Sequence, residues 1–382
     1  MKKIFYIGAI GIILFEFLKV YFIMPMPGSQ QMRSIDVAYF LHTHRWEFRV
    51  FFGLLMLTGT ISAFQSKRKW IPAAVLLLAL AVIYLFNFNM TADSMFKQPQ
   101  KLAFNTKDET KLKDSTLVIA VEHNGEAKAY PIRYLVYHHQ VQDSIGGKQM
   151  IVTYCSVCRT GRVFEPVVNH RHETFRLVGM DHFNAMFEDA STGSWWRQAN
   201  GEAIVGSLQG QQLPEVESTQ ITLGKWFQLY PKALVMQLDE ASKDYYDSLG
   251  KYERGKSKGD LTRTDSLSWK DKSWVVGIAV DGKSKAYDWN VLKEKRIIHD
   301  KIAQKPIVLI LADDNQSFAA FERSPDEEIF TLQHDTLSTS NKRYDITGRD
   351  LETLSLKLVK IQAYQEFWHS WKTFHPATEQ YQ

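Results

Sequence analysis

The most constraining feature of this chain is where its apolar residues lie. Residues 1–90 are strongly apolar, whereas 91–382 are polar with a regular apolar alternation. Three apolar runs stand in the first part, at about 4–23, 48–64 and 70–88. A helix needs roughly 20 apolar residues to span a bilayer, so the first and third runs suffice and the second is short. The first run reads as a span rather than a cleaved signal. Lys2 and Lys3 precede it, but it contains Glu16 and Lys19, and Met24-Pro25-Met26-Pro27 follows with no small-residue cleavage site. Lys2 and Lys3, and the cluster Lys67-Arg68-Lys69, both fall on the cytoplasmic side by the positive-inside rule if all three runs cross. The expectation is a multi-pass protein of the cell inner (cytoplasmic) membrane, with its soluble domain on the periplasmic or extracytoplasmic side.

Two features of this part invite a functional reading. Intramembrane charges are costly, yet Glu16 and Lys19 stand three apart and can neutralise each other on one helix face. His42 and His44 form a His-x-His pair, read here as part of an interfacial loop rather than a metal site.

The soluble part contains a degenerate repeat. In one copy, apolar-polar alternation from Leu117 leads to Asn124-Gly125, then Lys128-Ala129-Tyr130 and Leu135; in the other, alternation from Trp274 leads to Asp281-Gly282, then Lys285-Ala286-Tyr287 and Leu292. Asn-Gly and Asp-Gly supply the positive φ angles of a tight hairpin turn. The match continues through Met150 to Tyr154 against Pro306 to Leu311, through Val163-Phe164-Glu165 against Ala320-Phe321-Glu322, and through Trp226 against Trp371. The fold class expected is α+β: N-terminal transmembrane helices, then a β-rich soluble domain built from two degenerate repeats. These lie at 100–238 and 265–382, joined by a linker at 239–264. The net charge of +4 comes from Lys and Arg interspersed with Asp and Glu, which leaves no nucleic-acid footprint.

The repeat isolates one anomaly. Where the first copy has Tyr154-Cys155-Ser156-Val157-Cys158-Arg159-Thr160-Gly161, the second has Leu311-Ala312-Asp313-Asp314-Asn315-Gln316. The fold does not require cysteines there, so Cys155 and Cys158, the only two in the chain, are the candidate catalytic pair. A structural bridge would close a four-residue loop and contribute only about 2 kcal/mol. A redox dithiol, acting as a thiol-disulfide or peroxide oxidoreductase, suits the spacing, with Arg159 and Arg162 as cations to lower the attacking thiol's pKa. Copper or zinc at the Cys pair is the second reading, with a metal-delivery partner; Cu(I) tolerates two thiolates, and His182 is a third ligand on offer. His170 and His172 have no standard finger spacing. A non-catalytic binding module is the third reading. Covalent haem is disfavoured, since Arg159 stands where a His would follow. Thr160, Asp181 and His182 are supporting candidates, with His182 a proton donor near the cysteines. Tyr154, Asp189, Thr192, Ser194, Trp196 and Gln198 are pocket candidates, although satisfying a turn is the plainer role for the hairpin they mark. Beyond the membrane, the expected partner is a protein thiol.

The ordered motifs Tyr154-Cys-x-x-Cys158-x-Thr-Gly161-x-x-Phe164, Asp189 through Thr192-Gly193-Ser194-x-Trp196-x-Gln198, and Gly201-Glu-Ala-Ile204-x-Gly206-x-Leu208-x-Gly210-x-x-Leu213 resemble the domain of unknown function 3179 family. The resemblance covers residues 100–240 well, the second copy faintly and the spans not at all. Some members are described as selenoproteins, with selenocysteine replacing a cysteine of this motif, which would imply redox chemistry at Cys155 and Cys158. Ser156 stands where Pro is common, and Phe187-Glu188-Asp189-Ala190 replaces a Tyr-Asp-Arg type sequence.

Overall fold

The computed structural model describes residues 1–247, 249–324, 329–353 and 357–382. Ser248 in the expected linker, and 325–328 and 354–356 in the expected second repeat, lie outside the described residues. The chain forms two compact units, residues 1–97 with 173–212, and 98–172 with 213–382.

In the first unit, Lys2–Tyr21, Arg45–Phe64 and Trp70–Asn89 are long and apolar enough to cross a membrane. The second helix begins ahead of the apolar run, at Arg45. Its 20 residues therefore reach about 30 Å. Leu57, Ile61, Leu77 and Phe88 stand bare on the outer faces, an apolar surface too extensive for water. The first two helices pack through small residues, as in membranes. A Cβ on Gly8 would lie 2.7 Å from the Phe52 carbonyl oxygen, and one on Gly59 would overlap the Phe5 backbone nitrogen.

Glu16 is wholly buried. It pairs with Lys19 at 2.9 Å, and it also accepts from Arg49 Nε at 2.6 Å and from Asn87 Nδ2 at 3.0 Å. The expected two-residue neutralisation is thus a four-residue network across three helices. Asn87 lies in a π-helical turn, Leu85–Asn89, that ends the third helix; such turns re-aim side chains within an α-helical frame. His42 and His44 go separate ways. His42 ends the short helix Ile35–Thr43 and meets Glu188 at 3.1 Å, while His44 faces Glu47 at 3.4 Å. A four-stranded antiparallel sheet completes this unit, from Phe175–Asp181, Asn184–Asp189, Trp195–Arg197 and Ala203–Val205.

The second unit has the duplicated β-rich fold. In the first copy the hairpin Leu117–His123 and Glu126–Pro131 is flanked by antiparallel Thr219–Thr222 and by parallel Leu234–Met236. In the second, Trp274–Val280 and Lys283–Asp288 are flanked by Ala363–Phe367 and Glu379–Gln380 in the same senses. A helix follows each hairpin, Ile132–His138 and Trp289–Lys295, and another follows each flanking strand, Leu223–Leu229 and Trp368–Phe374. Each copy then has a second sheet, Gln140–Ile145, Lys148–Cys155 and Thr160–Phe164 in one, Ile297–Ile302, Lys305–Leu311 and Phe318–Glu322 in the other. One core is shared between copies, since Val118, Ile221 and Trp226 pack in the same buried cluster as Val308, Ile310 and Phe321.

Gly59→Ala is expected to destabilise the full chain by about 1–3 kcal/mol through overpacking. It should melt at a lower temperature in detergent. Gly53→Ala, with nothing within 4 Å of the added carbon, should not.

Candidate functional site around the cysteine turn

The cysteines occupy a hairpin turn. Lys148–Cys155 pairs with Thr160–Phe164, with Cys155 opposite buried Thr160. Residues 156–159 make the turn, and Arg159 closes it at φ +59°, a conformation uncommon outside glycine. The Cys158 amide donates to Cys155 Sγ at 3.3 Å. Both cysteines are thiols and both are completely buried.

The second copy closes over this turn. The Phe367 amide donates to the Cys158 carbonyl at 2.8 Å. His369 Nε2 lies 3.2 Å from the Val157 carbonyl oxygen, to which Lys272 Nζ donates at 3.3 Å. Burial lowers the Lys272 ammonium pKa, and the opposing influences that hold it charged include both sulfurs. Burial, and then the Lys272 charge, push His369 down to about 4, so it is neutral at physiological pH. Tyr252 completes the enclosure. Its hydroxyl donates to the Ser156 carbonyl at 2.9 Å and lies 3.2 Å from the buried Tyr154 hydroxyl.

One buried acid stands beside the thiols. Glu366 lies on Ala363–Phe367, one residue before the amide that holds Cys158. Burial pushes its carboxyl up to about 7, against the pull of the Arg162 guanidinium and the Ser370 hydroxyl. Ser370 Oγ donates to Oε1 at 2.5 Å, while Oε2 is buried with no hydrogen-bond partner among the described residues. The Cys158 thiol is pushed well above its ordinary value, first by burial, then by its hydrogen bond to Cys155 and the charges of Cys155 and Glu366. The Glu366 charge is thus one of the influences that keep the buried Cys158 thiol protonated.

Both arginines are engaged in packing around the turn. Arg159 Nη1 and Nη2 donate to the carbonyls of Tyr252 at 3.1 Å and Glu253 at 2.9 Å, and its guanidinium lies 3.8 Å from the Trp274 ring centroid. These contacts fix the turn. Arg162 lies over the Tyr364 ring at 3.3 Å and reaches Glu215 at 3.4 Å. Lys272 is a further cation near the sulfurs, which help to hold it charged. Lys272, Glu366, His369 and Ser370 escaped sequence reasoning because they lie more than a hundred residues from the cysteines. One signal was present. In strand order before the following helix, Glu366 is the counterpart of Ile221, so a carboxylate stands where the other copy has a core aliphatic.

The remaining candidates belong to the first unit. His182 and Phe183 form a two-residue hairpin turn with φ +49° and +67°, the left-handed pair this turn type demands. His182 Nδ1 lies 2.6 Å from Asp181 Oδ1, and that bond raises its pKa; Arg197 Nη2 donates to Asp181 Oδ2 at 2.7 Å. Asp189 organises its own turn, accepting from the Thr192 amide at 2.6 Å, the Thr192 hydroxyl at 2.8 Å and Trp196 Nε1 at 2.8 Å. Thr192 and Ser194 hydroxyls lie 2.8 Å apart, and Asn184 donates to Gln198 Oε1 at 3.1 Å. These residues serve the sheet's own turns. Among the described residues, no three His, Cys, Asp or Glu side chains gather into a group that would hold a metal ion.

Glu366 ties stability to pH. Its folded-state carboxyl holds a proton up to about 7, against an ordinary value of 4.5, so the folded chain binds more protons than the unfolded chain between those values. Stability falls as pH rises through that window and stays lowered above it, by about 3 kcal/mol. Glu366→Gln should match the parent below pH 4 and exceed it increasingly from pH 4.5 to 7 in thermal melts of the full chain. A pH-independent difference would contradict this assignment.

Comparison with known proteins gives one match, a family model described as protein of unknown function (DUF3179), over residues 97–378. No curated protein and no solved structure matches the chain.

Proposed function

This chain belongs to the DUF3179 family, and from that premise we propose that it is a membrane-anchored thiol-redox protein in which Cys155 attacks, Cys158 resolves and Glu366 takes the proton. The observation that carries this reading is the buried carboxyl beside the Cys158 thiol, raised to about 7 and with one oxygen unpartnered. A pair kept only for packing gains nothing from a neighbouring buried acid, which costs stability.

The roles follow from the donors. Cys155 Sγ receives the Cys158 amide and lies within the influence of Lys272, and both favour negative charge there. Its thiolate attacks a small disulfide, forming a mixed disulfide and expelling one thiolate. Cys158 then gives its proton to Glu366, and its sulfur attacks Cys155 and expels the second thiolate. The protein loses two electrons and two protons, and the disulfide becomes two thiols, which take up those protons. Full burial of both sulfurs favours a small acceptor over a folded protein. The lysine clusters at Lys2-Lys3 and Lys67–69 support placing this domain outside the cytoplasm, anchored in the cytoplasmic membrane.

The test is trapping. With a small aromatic disulfide, Cys158→Ser should accumulate a stable mixed disulfide at Cys155. Cys155→Ser should form little, and Glu366→Gln should close its bridge at least tenfold more slowly above pH 7. Equal modification of both serine variants would overturn the assignment of roles. Stoichiometric Cu(I) on the anaerobically purified parent, lost in either serine variant, would replace this reading with the soft-metal one.

A further inference from the structure

We propose that the first unit carries a binding site for a phosphate-bearing anion where the three apolar helices end. It rests on those helices spanning a bilayer and is independent of the cysteine chemistry. A cavity of ≈ 450 Å³ there is lined by Lys19, His42, Arg45, Asn87, Ser94 and Arg176, among others. Lys19 lies in the last turn of the first helix, Arg45 begins the second and Asn87 ends the third. Three antiparallel spans thus bring these residues to one end of the bundle, at the depth of lipid headgroups.

The cations are unevenly paired. Lys19 and Arg49 share one carboxylate, Glu16, at 2.9 and 2.6 Å. Arg176 is satisfied by Asp93 at 3.1 Å and Glu188 at 2.6 Å. Glu188 is held at about 2: burial raises it, but His42, Arg176 and Trp195 outweigh burial and keep it ionised. Arg45 donates only to the His42 carbonyl, at 2.7 Å, and makes no ion pair with a carboxylate among the described residues. Arg45 acts on the exposed Glu47 carboxylate without an ion pair to it, and Lys19, almost wholly buried, shares its one carboxylate with Arg49. Buried positive charge in an apolar bundle is costly unless an anion completes it. The wall adds neutral groups, Thr91 and Ser94 hydroxyls and the Asn87 amide. Phosphate offers several acceptor oxygens to such a set, and guanidinium matches it in geometry as well as charge.

The anion's source is a lipid headgroup or free phosphate, and the experiment separates them. Full-length protein in neutral detergent is titrated with phosphatidylglycerol, phosphatidylcholine or inorganic phosphate, with binding read by native mass spectrometry and by the thermal transition. Phosphatidylglycerol should bind and raise the transition while phosphatidylcholine does not. Arg45→Gln should weaken the phosphatidylglycerol complex at least tenfold, and Arg45→Lys should recover most of it. If inorganic phosphate displaces the lipid, the site takes the free ion as well; if it has no effect, the headgroup is the ligand. Equal binding of the two lipids, or phosphatidylglycerol affinity untouched by Arg45→Gln, overturns the proposal.

Discussion

A single main-chain bond, from the Phe367 amide to the Cys158 carbonyl at 2.8 Å, joins the second copy to the cysteine turn. Everything chemical in this domain depends on it. Phe367 ends a strand, and a strand alternates its side chains. Fixing that amide on the turn sends Glu366 and Tyr364 to the face that holds Arg162 and Cys158. It sends Gln365 the other way, to accept from Arg159 Nε at 3.3 Å. The helix that begins at Trp368 then delivers His369 to Val157 and Ser370 to Glu366. The four-residue turn cannot assemble this environment by itself.

The same bond has a mirror. In the first copy the strand Thr219–Thr222 also ends at a helix, and the Thr222 amide donates to Ser317 Oγ, at 2.9 Å, in the second copy's corresponding turn. Two residues earlier in each strand, Gln220 Nε2 donates to Gln365 Oε1 at 3.0 Å, counterpart to counterpart. Each copy thus holds the other's turn, and the two glutamines meet between them. The duplication explains why a sulfur pair persists in one half only. The architecture supplies two corresponding turns, the first buried and the second with Asp313 and Asn315 exposed. The second is satisfied by Asp314, whose carboxylate accepts from the Ser317 amide at 2.8 Å and the Thr222 hydroxyl at 2.8 Å. The first has thiols, a buried acid and a lysine in the corresponding place.

Much of this fold was legible in the sequence because its signals are local. The spans follow from runs of apolar residues. The hairpins follow from Asn124-Gly125 and Asp281-Gly282, both at positive φ. The repeat follows from Lys-Ala-Tyr at a constant offset, and Tyr130 and Tyr287 do occupy matching places, bonding Asp143 at 2.7 Å and Asp300 at 2.9 Å. The cysteine turn was found for the same reason. What stayed hidden is non-local. Arg159 and Arg162 stood out as cations because they are neighbours in sequence, but their carbonyl and tyrosine-ring partners did not. Lys272, in an unremarkable charged stretch, reaches the sulfurs only through packing between copies. Glu16 seemed paired with Lys19 alone because helix periodicity speaks only of one helix; Arg49 and Asn87 come from two others.

The central claim is that Cys155 and Cys158 form a reversible redox couple within their buried setting. The most direct measurement is the intact mass of the full-length protein after equilibration across a series of dithiothreitol redox buffers, each sample quenched with an alkylating agent under denaturing conditions. The account predicts a reversible two-electron transition, in which the oxidised form takes up no alkyl group and has lost the mass of two hydrogen atoms. Two alkyl groups on every molecule at every potential would contradict it.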